Sequence, residues 1–259
     1  MSKISDAFQN GKAFIGFVTG GDPDIDTTAR LIEAMAESGA DMVEIGIPFS
    51  DPIAEGPVIQ AASERALRGG VTVDALFSMV ERVREKVSIP LLFMTYANPI
   101  FAYGTDRFME RCRQAGIDGV IVPDVPFEEK DLFAPACRRH GIDWISMVSP
   151  TSGRRAAAIA REAEGFLYCV SSLGVTGIRS EIDDAIRDVI NQAKAVSSVP
   201  CAIGFGISTP EQARRIGGMG DGVIVGSAIV RLAAEYGTES VPYVRDYVTA
   251  MKQALAAAE

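Results

Sequence analysis

Histidine is nearly missing from this chain: His140 is the only one in 259 residues. The four cysteines, Cys112, Cys137, Cys169 and Cys201, stand far apart with no C-x-x-C pair. A His/Cys metal cluster, which needs three or four neighbouring ligands, is thereby excluded. The cysteines read as reduced packing thiols. Positive charge is short as well, with 25 Lys and Arg against 34 Asp and Glu and a net charge of −9. Nucleic acid and anionic membrane are excluded as partners, because phosphate polymers are bound through net positive fields. No apolar run approaches the ~20 residues of a membrane helix. The opening MSKISDAFQNGK has no secretory core. A soluble, cytoplasmic protein is expected.

What is present is a rhythm. Short apolar segments recur: AFIGFVTGG from Ala13, DMVEIGIPF from Asp41, PLLFMTY from Pro90 and DGVIVPDV from Asp118. DWISMVS from Asp143, FLYCVSS from Phe166, PCAIGFGI from Pro200 and DGVIVGS from Asp221 follow. They are continuously apolar rather than alternating, as parallel strands buried on both faces are. Helical periodicity lies between them over 25–38, 105–115, 128–139, 154–164, 182–196 and 210–216, with Gly39 stopping the first. The strand leads resemble one another: SGADMVEIG, AGIDGVIVP, HGIDWISMV and GMGDGVIVG each place an acid before a β-branched run. One βα unit used eight times predicts a (β/α)8 TIM barrel, an α/β fold occupying residues 1–259 as a single domain. The rival open doubly wound sheet would more often carry G-x-G-x-x-G after strand one, where this chain has Thr19-Gly20-Gly21-Asp22-Pro23.

In such a barrel the reactive groups gather at the C-terminal ends of the strands. Glu44 lies within the second strand between Val43 and Ile45. Burial there raises a carboxyl toward the range useful for proton transfer. The structural alternative is a glutamate tied into the core by hydrogen bonds. Glu55 follows in a loop bounded by Pro52 and Gly56-Pro57. Two carboxyls in different environments can divide acid and base work, although loop acids are more often simply solvated. Asp51 and Asp124 read as turn or interface residues, and His140 as a helix C-terminal residue.

Three strand ends are glycine-bearing: SSLGVTG (171–177), GFGIS (204–208) and GSAIV (226–230). Backbone N–H groups and helix N-termini at these places form the recurrent phosphate cradle of the fold. No lysine or arginine falls within GFGIS or GSAIV, which fits capture by backbone. Phe17, Tyr96, Tyr168 and Phe205 also sit at strand ends and are equally readable as core.

The run VEIGIPFSDPIAEGPVIQ (43–60) resembles the signature of the tryptophan synthase α subunit family. FVTGGDP, YANPIF, PDVP, GVTG, GFGIS and GSAIV match in order along nearly the whole chain. The resemblance implies a lyase of tryptophan biosynthesis that cleaves indole-3-glycerol phosphate to indole and glyceraldehyde 3-phosphate. It implies no metal and no cofactor in this chain. Pyridoxal phosphate is expected only in a β subunit that receives the indole within an αββα heterotetramer. By the same resemblance Glu44 is the catalytic glutamate, and Glu55 stands where the family usually has an aspartate. Phe17, Ile59, Tyr96, Ile121 and Tyr168 surround the indole, and Phe205 remains a substrate-binding candidate by its strand-end position. Gly177, Gly206, Gly226 and Ser227 hold the phosphate, and Thr176 closes a loop over the site. Segments 51–60 and 97–104 face the β subunit.

One methylene separates Glu55 from the family's aspartate, and the expectation is that the loop backbone retreats to compensate. The alternative function is a catalytically weak α-like subunit that mainly activates its β partner. Another phosphate-binding barrel enzyme is disfavoured, because the strand segments carry no catalytic lysine and the chain has no pair of metal-binding histidines.

Overall fold

The computed structural model describes residues 2–170, 179–204 and 206–258, apart from the side chains of 179–183. Nine parallel strands form one sheet: β1 (Ala13–Thr19), β2 (Met42–Gly46), β3 (Leu91–Met94), β4 (Gly119–Ile121), β5 (Asp143–Trp144), β6 (Ser146–Val148), β7 (Leu167–Val170), β8 (Cys201–Gly204) and β9 (Gly222–Val225). Their order is β5-β4-β3-β2-β1-β9-β8-β7-β6. The terminal members β5 and β6 are two stretches of one strand on either side of Ile145. The first pairs with β4 and the second with β7, so the ring closes there as an eight-stranded barrel. All eight segments expected from sequence are strands.

Both faces of each strand are buried, which is why the segments lack polar alternation. Outward residues such as Phe14, Val43, Ile45, Leu91, Phe93 and Val120 pack beneath the helices. Ile15, Met42, Leu92, Ile121, Ile145, Phe166, Ala202 and Ile224 fill the lumen. Ile4, on the short helix Lys3–Asp6, plugs this cluster with no exposure.

The repeated strand leads share a hydrogen-bonding device. Asp41, Asp118 and Asp221 each accept, through Oδ2, an N–H at the start of the preceding strand: Phe14 at 2.7 Å, Leu91 at 2.9 Å and Cys201 at 2.9 Å. Each acid is also paired with a cation, Lys252, Arg84 and Lys194 respectively. Asp143, the fourth of the set, departs from this: its Oδ2 is buried without a partner among the described residues, and burial raises its carboxyl above the usual range.

The expected helices appear as Ile25–Glu37, Thr105–Ala115, Arg155–Glu162, Arg179–Lys194 and Pro210–Gly217. The segment 128–139 is not one helix. It divides into a 3-10 turn, Phe127–Leu132, and an α-helix, Ala134–His140. Pro135 has no N–H to donate and is tolerated only in a first turn, so it opens a new helix rather than continuing the old one. Helices Pro57–Arg68, Val73–Arg84, Ala97–Tyr103, Ser227–Tyr236 and Val241–Ala256 complete the outer layer. Among the described residues no helix is long and apolar enough to cross a membrane.

Candidate active site

At the C-terminal mouth of the barrel is a cavity of about 410 Å³. The acid expected in β2 stands in its wall. Strand alternation places Met42 and Glu44 inward while Val43 and Ile45 pack outward. Glu44 is 1% exposed, and both of its carboxyl oxygens are buried without a hydrogen-bond partner among the described residues. The structural alternative, a carboxyl tied into the core, finds no support among those residues. Desolvation holds its pKa up at about 8.

Glu55 reaches the same cavity from the loop before helix Pro57–Arg68. Burial raises its pKa to about 7, and the nearby Tyr96 hydroxyl opposes the rise through hydrogen bonding. One oxygen, Oε2, has no hydrogen-bond partner among the described residues. The Tyr96 hydroxyl also accepts from the Ala54 N–H at 3.1 Å, so one phenol tethers the loop backbone beside the acid. Its own proton is held tightly, since burial lifts the phenol to about 12.

Two aromatic walls depend on neighbouring glycines. A Cβ on Gly46 would lie 2.6 Å from Phe17 Cζ, and one on Gly204 would lie 2.6 Å from Tyr168 Cε1. Both rings therefore lie against bare backbone on the adjacent strand. Burial raises the Tyr168 phenol well above its ordinary range, and the neighbouring Glu44 adds to the effect.

The far wall is glycine and helix. Gly226 begins helix Ser227–Tyr236 with no side-chain cap. Its first-turn N–H groups thus have no N-cap side chain to accept them, the arrangement that binds anions. The preceding helix contrasts with this: Thr209 and Gln212 close the start of Pro210–Gly217 with a capping box. Gly206, at φ +37°, holds a conformation that disfavours a side chain.

Of the residues expected at the site, Phe17, Glu44, Glu55, Ile59, Tyr168, Gly206, Gly226 and Ser227 line this one cavity. Tyr96 and Ile121 do not. Tyr96 is 1% exposed behind the Ala54 loop, and Ile121 is packed into the lumen cluster. Thr176, Gly177 and Phe205 lie outside the described residues. Asp124 accepts from the Ala97 N–H at 3.0 Å, a turn role, while Asp51 is exposed and takes the Ser50 hydroxyl at 2.6 Å. His140 closes its helix 3.3 Å from Asp106. Sequence reasoning missed Met94, Ile207, Ile224 and Arg231 on the wall. The apolar three are indistinguishable from core in sequence. Arg231 was detectable, four residues beyond Ser227 on the same helix face.

No group of three or more His, Cys, Asp or Glu that could hold a metal ion occurs among the described residues. Two acids raised by burial in the mouth of a parallel barrel, together with an uncapped helix start, define the class: a (β/α)8-barrel enzyme built for proton transfer. The sequence profile described as Tryptophan synthase alpha chain matches residues 4–258. The tryptophan synthase alpha chain of Lacticaseibacillus casei is 48% identical over 91% of this chain and 88% of that protein. That of Citrifermentans bemidjiense is 44% identical over 98% and 97%. The crystal structure of tryptophan synthase subunit alpha from Legionella pneumophila str. Paris superposes with a TM-score of 0.89 at 36% identity, covering 99% of both chains. The chain belongs to the tryptophan synthase alpha chain family.

Proposed function

We propose that this chain is the indole-3-glycerol-phosphate lyase half of a tryptophan synthase, splitting its substrate to indole and glyceraldehyde 3-phosphate by a retro-aldol step. The observation that carries the proposal is Glu44: a buried carboxyl in the cavity wall, without a hydrogen-bond partner among the described residues and poised near 8. At neutral pH it is the acid of the pair. Glu55, near 7, is the member that can be ionised there.

Indole leaves poorly as a carbanion, so C3 is protonated first. Glu44 donates that proton while Glu55 takes the indole N–H proton, giving a neutral C3-protonated species. Glu44, now a carboxylate, removes the proton from the hydroxyl on the carbon bonded to C3. The carbon–carbon bond breaks, its electron pair returns to the indole ring, and the aldehyde forms. Glu55 returns its proton to the indole nitrogen, so protons and electrons balance without cofactor or metal. Phe17, Ile59 and Tyr168 sandwich the indole, while Gly206, Gly226 and Ser227 hold the phosphate.

The indole passes to a pyridoxal-phosphate β subunit of an αββα complex. Ile53, 80% exposed, and Phe101, 51% exposed, are apolar side chains on segments 51–60 and 97–104 that such a partner would cover. The setting is the cytoplasm, and residues 1–259 act as a single domain.

The test is indole release from indole-3-glycerol phosphate by the purified chain and by Glu44→Gln, which keeps shape and removes the proton. Loss of at least a hundredfold is expected, within the usual range for general acid–base catalysis. Activity above a tenth of wild type in the variant would overturn the role of Glu44. Turnover detectable only as stimulation of a β subunit would favour the activator reading instead.

A further inference from the structure

Among its described residues the cavity wall carries a single basic side chain, Arg231. The backbone cradle on the same wall supplies only partial charges, and Glu55, the cavity acid that can be ionised at neutral pH, repels an incoming dianion. The whole chain, at −9, adds to that repulsion. A full positive charge is what the described lining otherwise lacks.

Resting on the lyase reading above, we propose that Arg231 is the side-chain partner of the substrate's phosphate and sets the preference for a phosphate monoester dianion. Arg231 stands one helical turn beyond Ser227, so its guanidinium leaves from the face that bears the uncapped helix start. Other arginines in the molecule are committed, such as Arg65 to Asp22 and Arg84 to Asp118. Arg231 forms no ion pair or hydrogen bond among the described residues, and it is exposed. Its charge is felt at Tyr247, where it opposes the burial that raises the phenol. The Tyr247 hydroxyl donates to Ser208 O at 3.2 Å, in the loop that also supplies Gly206 and Ile207 to the cavity. Arg231 thus lies where the helix start and the glycine loop converge. A guanidinium offers paired N–H donors in the geometry of phosphate oxygens, which a backbone cradle alone does not provide.

The experiment uses the full chain with Arg231→Gln and Arg231→Lys. Steady-state kinetics with indole-3-glycerol phosphate are measured beside the binding of two probes, glycerol 3-phosphate and phosphate-free indole. For Arg231→Gln, KM and the glycerol 3-phosphate Kd are expected to rise at least tenfold, with kcat changed less than threefold and indole affinity less than twofold. Lysine is expected to restore part of the loss. A KM within twofold of wild type, or a parallel loss of indole affinity that marks a general collapse of the site, would overturn the proposal. If the wild-type chain releases no indole, the lyase reading has failed. The glycerol 3-phosphate comparison still decides the role of Arg231.

Discussion

The ring of Tyr168 lies against the bare Cα of Gly204 on the neighbouring strand, close enough that a Cβ there would stand 2.6 Å from Cε1 and 2.7 Å from the hydroxyl oxygen. Real side chains do not approach so closely, and interiors packed at crystal-like density transmit such a clash. Gly204→Ala is therefore expected to push the ring from its place beside Glu44 and to lower kcat/KM at least tenfold, about 1.4 kcal/mol of barrier. The double-mutant comparison gives the mechanism away: in a Tyr168→Ala background the clash is gone, so the same glycine substitution should cost much less. Equal losses in both backgrounds would show that Gly204 acts independently of the ring.

Glu44 links the chemistry to pH-dependent stability. In the unfolded chain it ionises near 4.5, whereas in the barrel it stays neutral to about 8. Between those values the folded state holds a proton that the unfolded state has lost. Stability consequently falls as pH rises from about 4.5 to about 8 and is then level. The accumulated penalty is on the order of 3–5 kcal/mol, at ~1.4 kcal/mol per pKa unit. Glu44→Gln, permanently neutral, is expected to match wild type near pH 4.5 and to exceed it by several kcal/mol at pH 8.5 while losing activity. Urea midpoints of the two proteins across that range check this, and a difference that stays flat with pH would refute it.

The barrel was legible because its signal is repeated. Eight apolar runs, four of them with a common acidic lead, are hard to read otherwise, and Asp41, Asp118 and Asp221 show the physical reason for the lead, each holding an N–H at the start of the preceding strand. Glu44 was legible because a lone carboxylate inside an apolar strand is costly without a purpose. Tyr96 and Ile121 show the limit. Position along a strand says that a residue is near the mouth, but whether it faces the cavity or backs a loop depends on how the chain returns. Tyr96 emerges behind the Ala54 loop, where its hydroxyl takes the Ala54 N–H and hydrogen-bonds Glu55 instead of standing on the wall. The helix break at Pro135 was visible in composition, and helical periodicity on both sides masked it.

In the proposed mechanism the two carboxyls set opposing limits on rate. Glu55 must be ionised, with a pKa of about 7, and Glu44 protonated, with a pKa of about 8. The kcat/KM profile of the free enzyme is expected to fall below about pH 7 and above about pH 8. In Glu44→Gln the alkaline limb should disappear from whatever activity remains. An alkaline limb that persists unchanged would assign it to another group.

Glu55→Asp tests the extra methylene directly. The Tyr96 hydroxyl fixes the Ala54 N–H at 3.1 Å, so the loop cannot freely follow a shorter side chain. Retreat of the carboxylate by about 1 Å costs on the order of a hundredfold in rate, and indole release is expected to fall at least tenfold. A tenfold rise would instead show that the glutamate is ill fitted to its loop.

Asp22 and Arg65 carry the structural side of the same loop. Arg65 Nε and Nη2 each donate at 2.8 Å to the two Asp22 oxygens, and the Asp22 side chain is only 1% exposed. Asp22 belongs to the turn after β1, and Arg65 to the helix that begins two residues after Glu55, so the pair fixes the acid-bearing segment against the barrel. Arg65→Met leaves a buried carboxylate without its counter-charge, a change that typically costs about 3–5 kcal/mol. Asp22→Asn in the same protein removes the stranded charge, and the double variant is expected to recover part of that loss in urea unfolding. Its activity should remain low even as stability returns, because the tie that positions Glu55 stays broken. Recovery of both together would mean that the pair contributes stability alone and leaves the placement of Glu55 to Tyr96.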